Sequence, residues 1–149
     1  MDRTVVRIRK ARRSDAERIA QLCGELGYPA TVGQIVTRLR QLKPASKHAV
    51  FVAECSGATV GLVGWVHVSV SHLLESDIRA EVNGLIVAEG QRSAGAGAKL
   101  LEAAEEWARR HGCRGMNVRS NVIRERAHGF YERNGYEHYK TQKAFRKPL

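Results

Sequence analysis

Apolar residues along this chain change rhythm several times, and each change predicts an element. Val5 and Ile8 with their neighbours read as a short strand. From Ser14 the spacing becomes helical, with Ala16, Ile19, Ala20, Cys23 and Leu26 on one face. Ser14 followed three residues later by Glu17 predicts a capping box, and Gly27 is placed to stop the helix. Thr31 and Gln34 repeat the capping signature ahead of Ile35, Val36, Leu39 and Leu42. A second helix is therefore expected to end before Pro44.

The middle of the chain changes to strand chemistry. "AVFVAEC" (49–55) and "TVGLVGWVHVSV" (59–70) are rich in β-branched and aromatic residues, and turn residues around Ser56 and Gly57 separate them. An antiparallel hairpin is expected. "AEVNGLIV" (80–87) reads as a fourth strand, and Gly84 in its middle points to a bulge or a close backbone approach. A long helix follows, with Gly97, Leu100, Leu101, Ala104, Trp107, Ala108 and His111 at helical spacing. Glu105 with Arg109 and Glu106 with Arg110 are expected i, i+4 pairs on its outer face.

Length and composition narrow the class. With 149 residues, 43% of them hydrophobic, and no repeat, low-complexity tract or linker, the expectation is a single domain over 1–149. No run of 18 apolar residues occurs and the first twenty residues lack a cleavable leader pattern, which sets a cytoplasmic expectation with no membrane partner. Cys23, Cys55 and Cys113 are odd in number and lack C-x-x-C spacing. They suggest neither a disulfide framework nor a metal site, and read as small buried hydrophobes. Lys and Arg outnumber Asp and Glu by 25 to 15, a formal charge of +10 that favours an anionic partner.

The candidate chemistry lies at the junction "EGQRSAGAGAKLLEAAEEWARRHG" (89–112). Small residues run from the fourth strand into the long helix, whose first turn has neither an acidic residue nor an obvious cap. Uncapped N–H groups and the positive dipole end suit an anion, and only small side chains let a phosphate reach the backbone. A P-loop needs G-x-x-x-x-G-K-[ST], but Gly95 is followed by Ala96 and Lys99 by Leu100. A dinucleotide fingerprint needs a glycine where Leu100 stands. What fits is Arg92-x-x-Gly95-x-Gly97 followed by Ala98.

That string on a strand-to-helix junction resembles the pyrophosphate-binding motif R/Q-x-x-G-x-G/A of the GNAT superfamily of N-acetyltransferases. "CRGMNVRSN" then supplies a fifth strand. "RAHGFYERNGYEHY" resembles the family's second mark, carried here by Ala127, Phe130, Tyr131, Glu132, Gly135 and Tyr136. The opening strand and helix are also similar, so the resemblance covers nearly the whole chain. It implies an α/β (α+β) fold, with a central, mixed, mostly antiparallel twisted sheet, splayed between strands 4 and 5 and flanked by about four helices.

For function, the resemblance implies acetyl-CoA as co-substrate and transfer of its acetyl group to a primary amine, with no metal. The pyrophosphate would sit on the loop Arg92, Ser93, Ala94, Gly95, Ala96, Gly97 and Ala98. The pantetheine arm would run along Leu85, Ile86 and Val87, entering through the splay that a bulge at Gly84 would help to open. Tyr131 matches the family tyrosine near the cofactor sulfur and is the candidate acid. Glu81, eleven residues before Arg92, is the candidate base. Many relatives have Asn where Arg124 stands, and Asn121 three residues earlier is the candidate cofactor contact in its place. His128 and His138 are expected at the surface or in packing, and Trp65 and Trp107 in the core.

The resemblance leaves the acceptor open between a small amine or aminoglycoside, which would imply antibiotic resistance, and a protein lysine or N-terminus. Glu75, Asp77 and Glu81 suggest a local acidic pocket for an amine, whereas the overall positive charge opposes attraction of a polycationic drug. "GYEHYKTQKAFRKPL" resembles the final strands of small-molecule acetyltransferases. A non-catalytic acyl-CoA-sensing or nucleic-acid-binding module is the competing class. Few aromatics interleave with the basic residues, which argues against nucleic acid. Many relatives form homodimers, but no stripe in this chain identifies an interface.

Overall fold

The computed structural model describes residues 3–58, 60–91 and 95–149, in two compact units, Met1–Val118 and Arg119–Leu149. The first unit is built on a five-stranded sheet in the order β1-β2-β3-β4-β5, namely β1 (Val5–Lys10), β2 (His48–Ser56), β3 (Gly61–Ser71), β4 (Arg79–Val87) and β5 (Met116–Val118). The first four strands pair antiparallel, and β5 pairs parallel to β4. The expected hairpin is β2 and β3.

Helices α1 (Ala16–Leu26) and α2 (Val32–Gln41) cover one face. Ala16, Ile19, Ala20 and Ile35 pack with Val52 of the sheet, and Leu22 packs with Ile86 and Ala88. Helix α3 (Ala96–Arg110) packs on β2, β3 and β4 through its buried stripe Ala96, Leu100, Leu101, Ala104, Trp107 and Ala108. That approach is close enough to require a glycine in β3, since a Cβ on Gly64 would stand 2.7 Å from the Ile86 carbonyl oxygen and 3.1 Å from Leu100 Cδ1.

The helix boundaries test the capping expectations. At α2 the box forms, with Gln34 N–H donating to Thr31 Oγ1 (3.1 Å) and Thr31 N–H to Gln34 Oε1 (3.0 Å). Gly27 ends α1 in the left-handed region at φ 92°. At the start of α1 the expected Ser14–Glu17 box gives way to a 3-10 turn, Arg13–Asp15, and no side chain caps α1 itself; the Asp15 carboxylate closes the turn. This carboxylate accepts from Arg12 N–H (2.7 Å) and from both terminal nitrogens of Arg9 (2.9 Å each). A buried carboxylate with charge-assisted bonds outcompetes a neutral hydroxyl for this corner. On α3, Glu106 meets both Arg110 (3.3 Å) and Arg109 (3.6 Å), so the outer-face pairing is a fork as well as an i, i+4 pair.

Within the second unit, α4 (Glu125–Arg133) carries Phe130 and Tyr131, whose rings meet edge to face at 5.2 Å. Residues 136–149 form no strand among the described residues, unlike the final strands expected there. Charged and polar residues interrupt this stretch, and Tyr139 and Phe145 are 67% and 91% exposed.

Candidate active site

The β4–β5 edge follows from how few residues of β5 can pair. The ladder joins Ala80 to Met116, Glu81 to Asn117 and Val82 to Val118, and it covers nothing beyond Val82. Two hydrogen bonds extend its closed end, Ala80 N–H to the Gly115 carbonyl (2.9 Å) and Arg114 N–H to the Ile78 carbonyl (2.7 Å), while Arg79 Nε–H donates to Asn117 Oδ1 (2.9 Å). The two strands are therefore zipped at one end, and β4 continues past the zip through Asn83–Val87. Glu81 stands within the zipped segment, one residue from its last pair.

The irregularity expected at Gly84 is present, and it has two parts. Val68 pairs with Val82 and His67 with Gly84, so Asn83 is the extra residue of a β-bulge in β4. Its side-chain amide donates to Ser69 Oγ at 2.7 Å. Gly84 itself lies beneath Trp65, where an added Cβ would fall 2.7 Å from Cη2 of the indole. Trp65, assigned to the core from sequence, is half-buried and packs against the core from its edge, and its indole Nε1 is buried without a partner among the described residues.

Directly paired residues share a face of the sheet, so Trp65, His67 and Ser69 of β3 share one with Ile86, Gly84 and Glu81 of β4. Ile86 packs with Leu22, which identifies this as the α1 and α2 face. A histidine pair absent from the sequence expectations lies on it. His48 Nδ1 is 3.3 Å from His67 Nε2, one nitrogen donating and the other accepting. Burial, reinforced by His48, pushes the His67 pKa down to about 4, so His67 is neutral at pH 7. His67 sits on the second arm of the expected hairpin and His48 one residue before its first arm, and that placement was the available signal. The bulge of β3 at Val63, where the β2–β3 register shifts, obscured it.

The glycine junction retains the features expected of it where it is described. Gly95 caps α3 with φ 81°, and neither a side-chain cap nor a first-turn acid stands there. Among the described residues a Cβ on Gly95 would meet nothing within 4 Å. Ala96, Gly97 and Ala98 form the first turn, while Arg92, Ser93 and Ala94 lie outside the described residues. A cavity of about 470 Å³ adjoins Ala88–Gln91, with Arg18 beside it donating to the Leu62 carbonyl at 2.9 Å.

Glu81, Leu85–Val87 and Gly95–Ala98 thus belong to the first unit, and Asn121 and Tyr131 to the second. Asn121 Oδ1 accepts from Ile123 N–H (3.2 Å) in the turn that opens α4. Burial raises the pKa of the Tyr131 phenol, whose ring also meets Tyr136 edge to face at 5.8 Å. Such a phenol stays protonated at neutral pH. Glu75 and Asp77 belong to an exposed loop between β3 and β4. Among the described residues no three His, Cys, Asp or Glu side chains converge as a metal site would require, and no helix is long and apolar enough to cross a membrane.

One substitution tests the junction. Valine at Gly95 must adopt a left-handed backbone at a cost of about 1–2 kcal/mol and places a branched side chain at the start of α3. Gly95→Val is expected to weaken acetyl-CoA binding about tenfold or more in calorimetric titration, with the fold retained by circular dichroism. Unchanged affinity in a folded variant removes Gly95 from the site.

Comparison with known proteins places the chain. The model of the Acetyltransferase (GNAT) family matches residues 11–136. The chain is 34% identical over 91 residues to the aminoalkylphosphonate N-acetyltransferase of Salmonella typhimurium, covering 60% of this chain and 58% of that protein. It thus spans a little over half the length of that curated relative. Among solved structures, AAC(6')-Iy in complex with a CoA bisubstrate analogue superposes with a TM-score of 0.82 at 19% identity, covering 97% of this chain and 99% of that one. The aminoglycoside 6'-N-acetyltransferase AAC(6')-Ih of Acinetobacter baumannii has a TM-score of 0.80 at 17% identity, covering 97% and 99%. At those identities the two structures speak for the fold alone. With a parallel fifth strand zipped to β4 only at one end, an uncapped glycine start to α3, and a family match over most of its length, the chain belongs to the GNAT acetyltransferase family.

Proposed function

We propose that both units act as one acetyltransferase domain that moves the acetyl group of acetyl-CoA directly to the primary amine of a small molecule. The observation that carries this reading is the end of the β4–β5 ladder at Val82, one residue beyond Glu81 and beside the Asn83 bulge. Backbone N–H groups of Arg92–Ala98 would hold the pyrophosphate at the positive end of α3. Leu85–Val87 would guide the pantetheine arm, and Asn121 would contact the cofactor from the turn before α4. The small-molecule acceptor draws support from the name of the aminoalkylphosphonate N-acetyltransferase that the chain resembles.

An ammonium has no lone pair, so Glu81 takes a proton from it, directly or through water. The neutral amine attacks the thioester carbonyl, the C–N bond forms, the C–S bond breaks, and Tyr131 protonates the departing thiolate. The Tyr131→Phe variant is expected to lower kcat about a hundredfold with little change in the KM for acetyl-CoA. An equal loss in kcat and in cofactor affinity would make Tyr131 a packing residue instead.

The direct test is thiol release from acetyl-CoA against a panel of aminoalkylphosphonates, amino acids, polyamines, aminoglycosides and lysine peptides. Turnover of a small amine supports the proposal. Turnover of peptides alone would make this a protein acetyltransferase, and acetyl-CoA binding without any turnover would make it an acyl-CoA sensor.

A further inference from the structure

We propose that a cationic cavity on the α2 side of the hairpin binds an anionic group of the acceptor, so that the substrate is an amine carrying a phosphate, phosphonate or carboxylate about 10 Å from its nitrogen. This rests on the transfer reading above and adds the class of acceptor. The cavity, of about 400 Å³, opens between α2 and the ends of β1 and β2. Lys10, Arg12, Arg13 and Arg40 line it, and no acidic residue is among its lining.

The carboxylates of that corner are already engaged. Asp15 and Glu54, whose charges interact with that of Arg12, are both held by Arg9 at 2.9 Å. Among the described residues Lys10, Arg12, Arg13 and Arg40 enter no ion pair. Four cations around one concave space, none in an ion pair and with no acidic residue among the lining, form a favourable environment for an anion, and guanidinium forks match phosphate and carboxylate geometry.

The position of the cavity connects it to the reacting strand. His48 and Val50 of β2 also line it, and their neighbours across the sheet lead to β4. Val50 pairs with His67, His67 pairs with Gly84, and the two imidazoles touch at 3.3 Å. Two inter-strand steps separate β2 from β4, a distance of about 10 Å. A molecule with its anion among the arginines would cross the histidine pair and present its amine beside the bulge and Glu81. His67, neutral at pH 7, offers that path a hydrogen-bonding group with no added positive charge. On this face of β4, Arg79 is tied to Asn117 at 2.9 Å, and Glu81 is the carboxylate suited to the amine end. The charge gradient thus orients a bifunctional acceptor.

The test has two arms. In the first, inorganic phosphate is titrated calorimetrically into protein saturated with CoA, which occupies the pyrophosphate loop. Wild type is expected to bind, and the Arg12→Gln/Arg40→Gln double variant to bind about tenfold more weakly or worse. No binding by wild type, or equal binding by both, overturns the proposal. In the second, kcat/KM is measured for alkylamines, ω-amino acids and ω-aminoalkylphosphonates of matched and increasing length. The anionic acceptors are expected to exceed the neutral ones about tenfold or more, with an optimum length. That preference should collapse in Arg40→Gln and return in Arg40→Lys. A preference that is absent, or that survives Arg40→Gln, overturns the proposal while the transfer reading stands. If no amine turns over but phosphate still separates wild type from the double variant, the anion site stands and the transfer reading fails.

Discussion

Replacing Glu81 by glutamine is expected to lower kcat at neutral pH by about 10²- to 10³-fold while leaving acetyl-CoA affinity close to wild type. The amide keeps the size and much of the hydrogen bonding of the native side chain but cannot accept a proton. Glu81 pairs with Asn117 in the last segment before the strands part, and its neighbour Val82 closes the ladder, so the lost function lies at the entrance to the splay. The pH dependence separates a base from a structural residue. As pH rises toward the amine's own pKa, about 10 for an alkylamine, the free base forms without help, and the defect should shrink. A defect of the same size at every pH would show that Glu81 positions the acceptor without removing its proton. Measurement of kcat for wild type and Glu81→Gln between about pH 6 and pH 10 with one small amine decides between them.

The Asp15→Ala variant is expected to lose about 3 kcal/mol of stability at pH 7, measured by urea denaturation. Asp15 is 8% exposed, and its removal leaves the Arg9 guanidinium, itself 14% exposed, with Glu54 as its carboxylate partner, and deprives Arg12 N–H of its acceptor. The bond from Arg9 holds the Asp15 carboxyl below its ordinary pKa, with the Arg12 N–H and the charges of both arginines acting in the same direction against burial. A lowered native pKa means that the unfolded chain binds the proton more readily. The stabilisation is therefore complete above the unfolded value of about 4 and is lost as pH falls through the lower native value. The gap between wild type and Asp15→Ala should narrow in that acid range, and a constant gap would assign the loss to packing instead of the ion pair. Because Arg9, Asp15 and Glu54 tie together β1, the start of α1 and β2, the same variant should also weaken selection of anionic amines by loosening the corner that carries Lys10, Arg12 and Arg13.

The parts of this protein that were legible in its sequence are those whose chemistry is local. The stripes of α1, α2 and α3, the left-handed glycine after α1, the box at Thr31 and the uncapped start of α3 each depend on residues within one or two turns of each other. The left-handed Gly95 at the start of α3 was legible for the same reason, since the small residues that surround it are neighbours in sequence. The Ser14 box failed although its spacing was correct. Arg9 lies on the preceding strand and offered Asp15 a stronger partner, and a local pattern does not register a competitor from another element.

Longer-range features depended on how the strands came together. Gly84 signalled an irregularity in β4, but the extra residue is Asn83, because the overlying indole of Trp65 sets the close approach and the pairing with β3 sets the register. The short run of β5 that pairs decides where the splay begins, and that length depends on the zip made by Arg79, Asn117 and the 78–80 and 114–115 backbone. His48 and His67 are nineteen residues apart and meet across a hairpin whose register shifts at Val63. Lys10, Arg12 and Arg13 are close together in the chain, but Arg40 joins them around one cavity only once α2 lies against β1 and β2. Periodicity and caps act over a few residues and are written in the chain in order. Register, bulges and charge clusters arise from contacts between distant segments, where a shift of one residue moves every later side chain to the opposite face.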